Sequence, residues 1–164
     1  MKQITRLFDL LELYKDEYGS ISNLFNHKKQ GEWVNYSAAD YVNYSRWISL
    51  GLLSLGVQRG TRIATVMVNC PEWNFLDMGI SQAGAIQVPV YPTISEENYR
   101  FIFMDSEVEY VFVSNHEIYQ RIRHIVPGIK GIKAVFSIDP VKDGRIRMIF
   151  SQERHPAGRP RHHH

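Results

Sequence analysis

Residues 69–92, N-C-P-E-W-N-F-L-D-M-G-I-S-Q-A-G-A-I-Q-V-P-V-Y-P, decide how the chain is read. Just before them, residues 62–68 form a β-branched apolar run long enough for a buried strand. Pro71 stands where a helix favours its first residue, because its missing N–H would be unpaired there anyway. Glu72 in the first turn suits the positive end of the helix dipole. Leu76, Gly79, Ile80 and Ala83 recur on one helical face, and Gly84 predicts the stop. Residues 86–91 are apolar again and predict a second strand. A strand–helix–strand with such short connections predicts a parallel pair with a right-handed crossover.

The same rhythm continues downstream. Thr93 or Ser95 is expected to cap a helix with Glu96 and Glu97 in its first turn and Tyr99, Ile102 and Phe103 on its apolar face. Residues 110–114 predict a strand. Asn115 then caps a helix carrying Ile118, Ile122, Ile125 and Val126, with Pro127-Gly128 as its stop. Residues 133–138 predict a fourth strand, so the strands begin near 62, 86, 109 and 133. Upstream, residues 4–18 put Ile4, Leu7, Leu11, Tyr14 and Tyr18 on one helical stripe closed by Gly19. Residues 23–36 read as a hairpin turning at K-K-Q-G, and Ser37 with Asp40 opens a capped helix that Gly56 closes. The fold class expected is α/β: a mostly parallel sheet with flanking helices, preceded by a helix and a β-hairpin.

The bulk properties narrow the function classes. A chain of 164 residues is one domain or a piece of a larger one. No apolar run approaches the roughly 18 residues that span a bilayer. The N-terminus carries acids early and does not read as a secretory signal. The single Cys70 excludes an internal disulfide and suits a reducing, cytoplasmic setting. Residues 1–144 hold 14 Lys+Arg against 16 Asp+Glu, a net −2, whereas residues 145–164 hold five Arg against one Glu, a net +4. All the basic excess therefore lies in the last twenty residues, whose ending P-A-G-R-P-R-H-H-H reads as vector sequence and a partial histidine tag. Domain organisation is accordingly read as 1–144 for the folded part and 145–164 for an uncertain native end plus tag, with the native stop expected between residues 143 and 150. Without basic residues clustered on folded elements, no nucleic-acid partner is expected.

Few residues carry chemistry. There is no G-x-x-x-x-G-K-[ST] phosphate loop and no G-x-G-x-x-G after a strand. Ser81 in G-I-S-Q-A resembles a nucleophile elbow but falls at the end of a helix rather than on a strand-to-helix turn. His116 and His124, eight apart on one predicted helix, are too distant to share a metal, and no Cys/His spacing suits zinc. Cys70 lies near a helix N-terminus, where a thiolate is favoured, yet no histidine is near it in sequence, so a structural role is expected. Asp105, Glu107 and Glu109 read as a solvated loop, and Trp73 and Phe75 as core. The segment V-P-V-Y-P-T-I-S is the most unusual. Pro89 deletes a ladder donor and predicts an edge strand or bulge. Tyr91, Thr93 and Ser95 follow at the carboxyl end of a strand, where open parallel sheets gather ligands, and are the substrate-facing candidates. No catalytic, cofactor-binding or metal residue is assigned.

The string G-V-Q-R-G-T-R-I-A-T-V-M-V-N-C-P-E-W, then A-G-A-I-Q-V-P-V-Y-P-T-I-S-E-E-N-Y, then D-S-E-V-E-Y-V-F-V resembles the N-terminal part of AMP-forming acyl-CoA synthetases, above all long-chain fatty-acid–CoA ligases. The resemblance covers about residues 4–139. It implies a partial N-terminal subdomain of an adenylate-forming enzyme. In that family a fatty-acid carboxylate attacks the α-phosphate of Mg·ATP to give an acyl-adenylate and pyrophosphate, and the CoA thiol then displaces AMP. Fatty acid, ATP, CoA and Mg are thus implied for the parent. The family's Thr-Ser-Gly-Thr-Thr-Gly and Pro-Lys-Gly phosphate loop is absent here, so no cofactor is expected on this chain and it is expected to be inactive alone. Two other readings stay open: a stand-alone α/β binding module, and an adenylating enzyme for another carboxylic acid. A truncated chain is expected to expose sheet surface and self-associate, whereas a module is expected to be a compact monomer. Peripheral membrane contact of the parent is also open, although Glu12, Asp16 and Glu17 make the first helix acidic for anionic lipid.

Overall fold

A computed structural model describes residues 4–29, 31–141 and 146–148. Helix α1 (Asp9–Tyr18) is followed by an antiparallel hairpin, β1 (Phe25–Lys29) and β2 (Glu32–Tyr36). Then come α2 (Ala38–Ser54), β3 (Arg62–Val66), α3 (Pro71–Gln82), β4 (Ile86–Val90), α4 (Glu96–Asp105), β5 (Tyr110–Val113) and α5 (His116–Ile122). A 3-10 turn (Val126–Gly128), β6 (Ala134–Ser137) and β7 (Ile146–Met148) complete the described elements.

The second sheet has the order β4-β3-β5-β6-β7, and among the described residues each of its strand pairings is parallel. From β3 the chain moves through α3 to one side, returns through α4 past β3 to β5, and proceeds through α5 to β6. The direction of winding therefore reverses between β3 and β5. One apolar layer joins α1, α2 and α3 to Ile63, Tyr110, Phe112 and Phe136 of the sheet. The other joins α4 and α5 to Ala64, Val66, Val111, Val113 and Val135. Successive strand residues point to opposite faces, which divides these side chains between the layers. The α/β class with helices on both faces of a mostly parallel sheet is as expected.

Local chemistry explains most boundaries. Ser37 and Asp40 form a reciprocal capping box: the Ser37 hydroxyl accepts from the Asp40 N–H at 3.0 Å, and the Asp40 carboxylate accepts from the Ser37 N–H at 2.7 Å. Ser95, not Thr93, caps α4, and Asn115 caps α5. Gly56 and Gly84 end α2 and α3 at φ 82° and 73°, a region costly for residues with a Cβ. Pro89 lies in β4, an edge strand of the sheet, as its missing donor requires.

Four boundaries differ from expectation. Helix α1 begins at Asp9 rather than residue 4, because the Asp9 carboxylate accepts from the Thr5 and Arg6 N–H groups at 3.1 and 2.9 Å and holds that stretch as a turn. Ile4 and Leu7 are consequently exposed. Helix α5 stops at Ile122, so His116 and His124 do not share a helix. The hairpin turn is shorter than K-K-Q-G, since Lys28 and Lys29 stay in β1. Strand β7 was not among the four expected; three residues with a central Arg carry too little periodicity to be seen. It falls within the 145–164 segment, of which 145 and 149–164 lie outside the described residues.

Candidate functional site at the carboxyl ends of the strands

Parallel pairing brings four strand ends to one edge. Met67–Cys70 leave β3, residues 91–95 leave β4, Ser114 and Asn115 leave β5, and Ile138 and Asp139 leave β6. The reversal of winding lies between β3 and β5, the position where doubly wound sheets open a ligand crevice. There the Ser114 hydroxyl accepts from the Val68 N–H at 3.4 Å, tying the two loops together.

The hairpin closes one side of this edge. Phe75, 0 % exposed, is ringed by Phe25, Tyr36, Tyr41 and Tyr44, with ring centroids 5.1–5.9 Å apart. Such edge-to-face and stacked contacts add to simple burial. Two polar ties fix the hairpin further. Lys29 Nζ donates to Asp139 at 2.6 Å, joining β1 to the end of β6. Tyr36 Oη donates to Glu72 Oε1 at 3.0 Å. Glu72 is only 8 % exposed, so this bond satisfies a carboxylate that burial would otherwise penalise.

Between the hairpin and the start of α3 lies a cleft of about 330 Å³, lined by Phe25, Asn26, His27, Asn69, Cys70 and Trp73 among others. Trp73, expected as core, is half-buried and forms part of this wall, whereas Phe75 is core as expected. Burial, and next the Glu72 carboxylate, push the Cys70 thiol up to about 12. At neutral pH it is a protonated thiol, in keeping with a structural rather than a nucleophilic cysteine. The same two causes, burial first, raise the Tyr36 phenol above its usual range.

The three sequence candidates lie together on the β4–α4 connection but do not line the cleft. Tyr91 is 81 % exposed, and its carbonyl accepts from Tyr99 Oη at 3.3 Å. Thr93 is exposed, and Ser95 is engaged as the α4 cap. Ser81 sits in the last turn of α3, away from any strand-to-helix elbow. Glu107 pairs with Arg62 and Glu109 with Lys133, so two of the three acids in that cluster serve as ion pairs. His124 pairs with Glu96 at 3.0 Å, and His116 contacts Gln120 at 3.1 Å. Among the described residues no group of three or more His, Cys, Asp or Glu could hold a metal ion. The Glu72–Tyr36 and Lys29–Asp139 ties were not read from sequence. A first-turn acid is generic, and partners 36 and 110 residues apart leave no local signal.

The model of the AMP-binding enzyme family matches residues 18–161. The long-chain-fatty-acid–CoA ligase FadD15 of Mycobacterium tuberculosis is 32% identical over 108 residues, covering 66% of this chain and 18% of that protein. The long-chain-fatty-acid–CoA ligase ACSBG1 of Bos taurus is 28% identical over 138 residues, covering 84% of this chain and 19% of that protein. The chain thus spans about a fifth of the length of these curated relatives. A crystal structure of the anthranilate CoA ligase AuaEII with anthranoyl-AMP superposes with a TM-score of 0.78 at 18% identity, over 90% of this chain and 27% of that one. The matched family, the sheet order and the resemblance carried by N-C-P-E-W and V-P-V-Y-P-T-I-S agree, and the chain belongs to the AMP-binding enzymes.

Proposed function

We propose that the chain is the N-terminal part of a ligase that activates a long-chain fatty acid with ATP and passes the acyl group to CoA. The observation that carries this reading is the similarity to long-chain-fatty-acid–CoA ligases from bacteria and mammals over the same segment. The chain's own contribution is architectural. It supplies the parallel sheet, the strand-end edge and the hairpin that covers it. Neither a Thr-Ser-Gly-Thr-Thr-Gly loop nor, among the described residues, a metal-holding cluster is available to cradle Mg·ATP. No chemical step is therefore assigned to these residues, and the chain alone is inactive in this reading. Tyr91, Thr93 and Ser95 face a substrate only once the parent's remaining domains close over the strand ends. Such a chain resides in the cytoplasm, and isolated it self-associates through surface the parent covers.

A second reading keeps the reaction and changes the acid, and the likeness to an anthranilate CoA ligase favours it. Trapping the acyl-adenylate of the full-length parent with hydroxylamine, across a panel of long-chain, short-chain and aryl acids, separates the two. Hydroxamate formed best from C14–C18 acids supports the fatty-acid reading, and hydroxamate formed only from aryl acids replaces it. In the same assay Tyr91→Ala is expected to raise KM for a substrate while leaving the fold intact.

A further inference from the structure

One buried tyrosine ties the β4–α4 connection to the core. Tyr99 of α4 is 1 % exposed and lies in the apolar layer with Val66, Val90, Phe103 and Val113. Phenylalanine would fill that space without desolvating a hydroxyl, whose burial costs free energy unless a hydrogen bond offsets it. The partner is the Tyr91 carbonyl, which accepts from Tyr99 Oη at 3.3 Å one residue beyond the end of β4. The other end of the connection is fixed separately. Ile94 packs on the same apolar layer, and Ser95 Oγ accepts from the Asn98 N–H at 3.3 Å. Ser95 and Ile94 thus hold the end nearer α4, and the Tyr99 hydroxyl holds the end nearer β4. Between these ties the side chains of Tyr91 and Thr93 stand exposed at the strand-end edge.

We infer that Tyr99 is a positioning residue, whose hydroxyl presets the strand-end loop that presents Tyr91 to a substrate. The inference rests on the function proposed above and on Tyr91 facing a substrate in the parent. A loop already held in its bound conformation spares the ordering cost that a free one pays on binding. Loss of the tie therefore weakens substrate binding and leaves the chemical step alone, which separates this role from simple core packing.

The test is a double-mutant cycle in the full-length parent, with wild type, Tyr91→Ala, Tyr99→Phe and the pair. KM and kcat are measured separately for fatty acid, ATP and CoA. Tyr99→Phe is expected to raise the same KM that Tyr91→Ala raises, by about two- to tenfold, the range that one net hydrogen bond supports. Its kcat is expected to change little. Added to Tyr91→Ala it is expected to have no further effect, because the ring it positions is gone. In the 164-residue chain itself, Tyr99→Phe is expected to speed amide hydrogen exchange at Thr93 and Ile94 more than in β3 or β5. An unchanged KM in Tyr99→Phe while Tyr91→Ala raises it, effects that add in the pair, or a loss of kcat in step with a lower urea midpoint would each overturn the inference and leave the proposed function standing. No KM moved by Tyr91→Ala would overturn it together with the substrate-facing reading of Tyr91. No activation of any fatty acid by the wild-type parent would instead overturn the proposed function, with the exchange comparison still deciding whether Tyr99 holds the loop.

Discussion

At the residue scale the tightest constraint is Gly79. A Cβ built there would lie 2.5 Å from Ile48 Cγ2 and 2.9 Å from the Ser45 carbonyl oxygen. The glycine and the small, fully buried Ser45 let α2 and α3 approach closely. Gly79→Ala is expected to destabilise the chain by about 1–3 kcal/mol despite alanine's better helix propensity, read as a lower urea midpoint. An unchanged midpoint would show that the helices can separate freely. Cys70 makes a second residue-level prediction. Its folded value of about 12 stands above the ordinary 9.0, so the folded state holds the proton more tightly. The resulting stability is fully present below about pH 9 and is lost as pH rises toward 12, in the same direction as for Tyr36. Serine at 70 should flatten the part of the alkaline denaturation curve that depends on the thiol. Gly79 was legible in sequence only as one member of an apolar face. That its lack of a side chain is itself the packing feature emerges when Ile48 is seen opposite it.

At the element scale the hairpin is the part held by side chains rather than by the main sheet. The Lys29–Asp139 pair is half-exposed, so its net worth is small, within about 1 kcal/mol after solvent screening. Asp139→Asn is therefore expected to leave global stability nearly unchanged while speeding amide hydrogen exchange in β1 and β2 severalfold. Exchange unchanged in the hairpin would assign its docking to the aromatic cluster around Phe75 alone. The elements themselves were largely legible. The apolar runs of β3 to β6, Pro71 at the head of α3, and the Ser37–Asp40 box all carry local signals that survive in the fold. What local pattern could not supply was strand order, the start of α1 and β7. Order depends on which strands share buried faces, α1 on one aspartate accepting from two backbone amides, and β7 on pairing with β6. The candidate site was legible as a strand-end edge around Tyr91, whereas the cleft beneath the hairpin depends on contacts between segments more than forty residues apart.

At the scale of the whole molecule, the chain is a doubly wound sheet with an aromatic-seated hairpin over its strand ends. It spans about a fifth of the length of its curated relatives, 18% of FadD15 and 19% of ACSBG1. The Thr-Ser-Gly-Thr-Thr-Gly phosphate loop that would position backbone amides around Mg·ATP does not occur in this sequence. In the function proposed above, this chain supplies scaffold and the reaction requires the rest of the parent. ATP–pyrophosphate exchange driven by a long-chain fatty acid, measured side by side on this 164-residue chain and on the full-length parent, decides this proposal. Exchange by the parent and none above background by the chain alone is the expected result. Fatty-acid-dependent exchange by the 164-residue chain itself, or none by the parent with any fatty acid, would overturn the proposal.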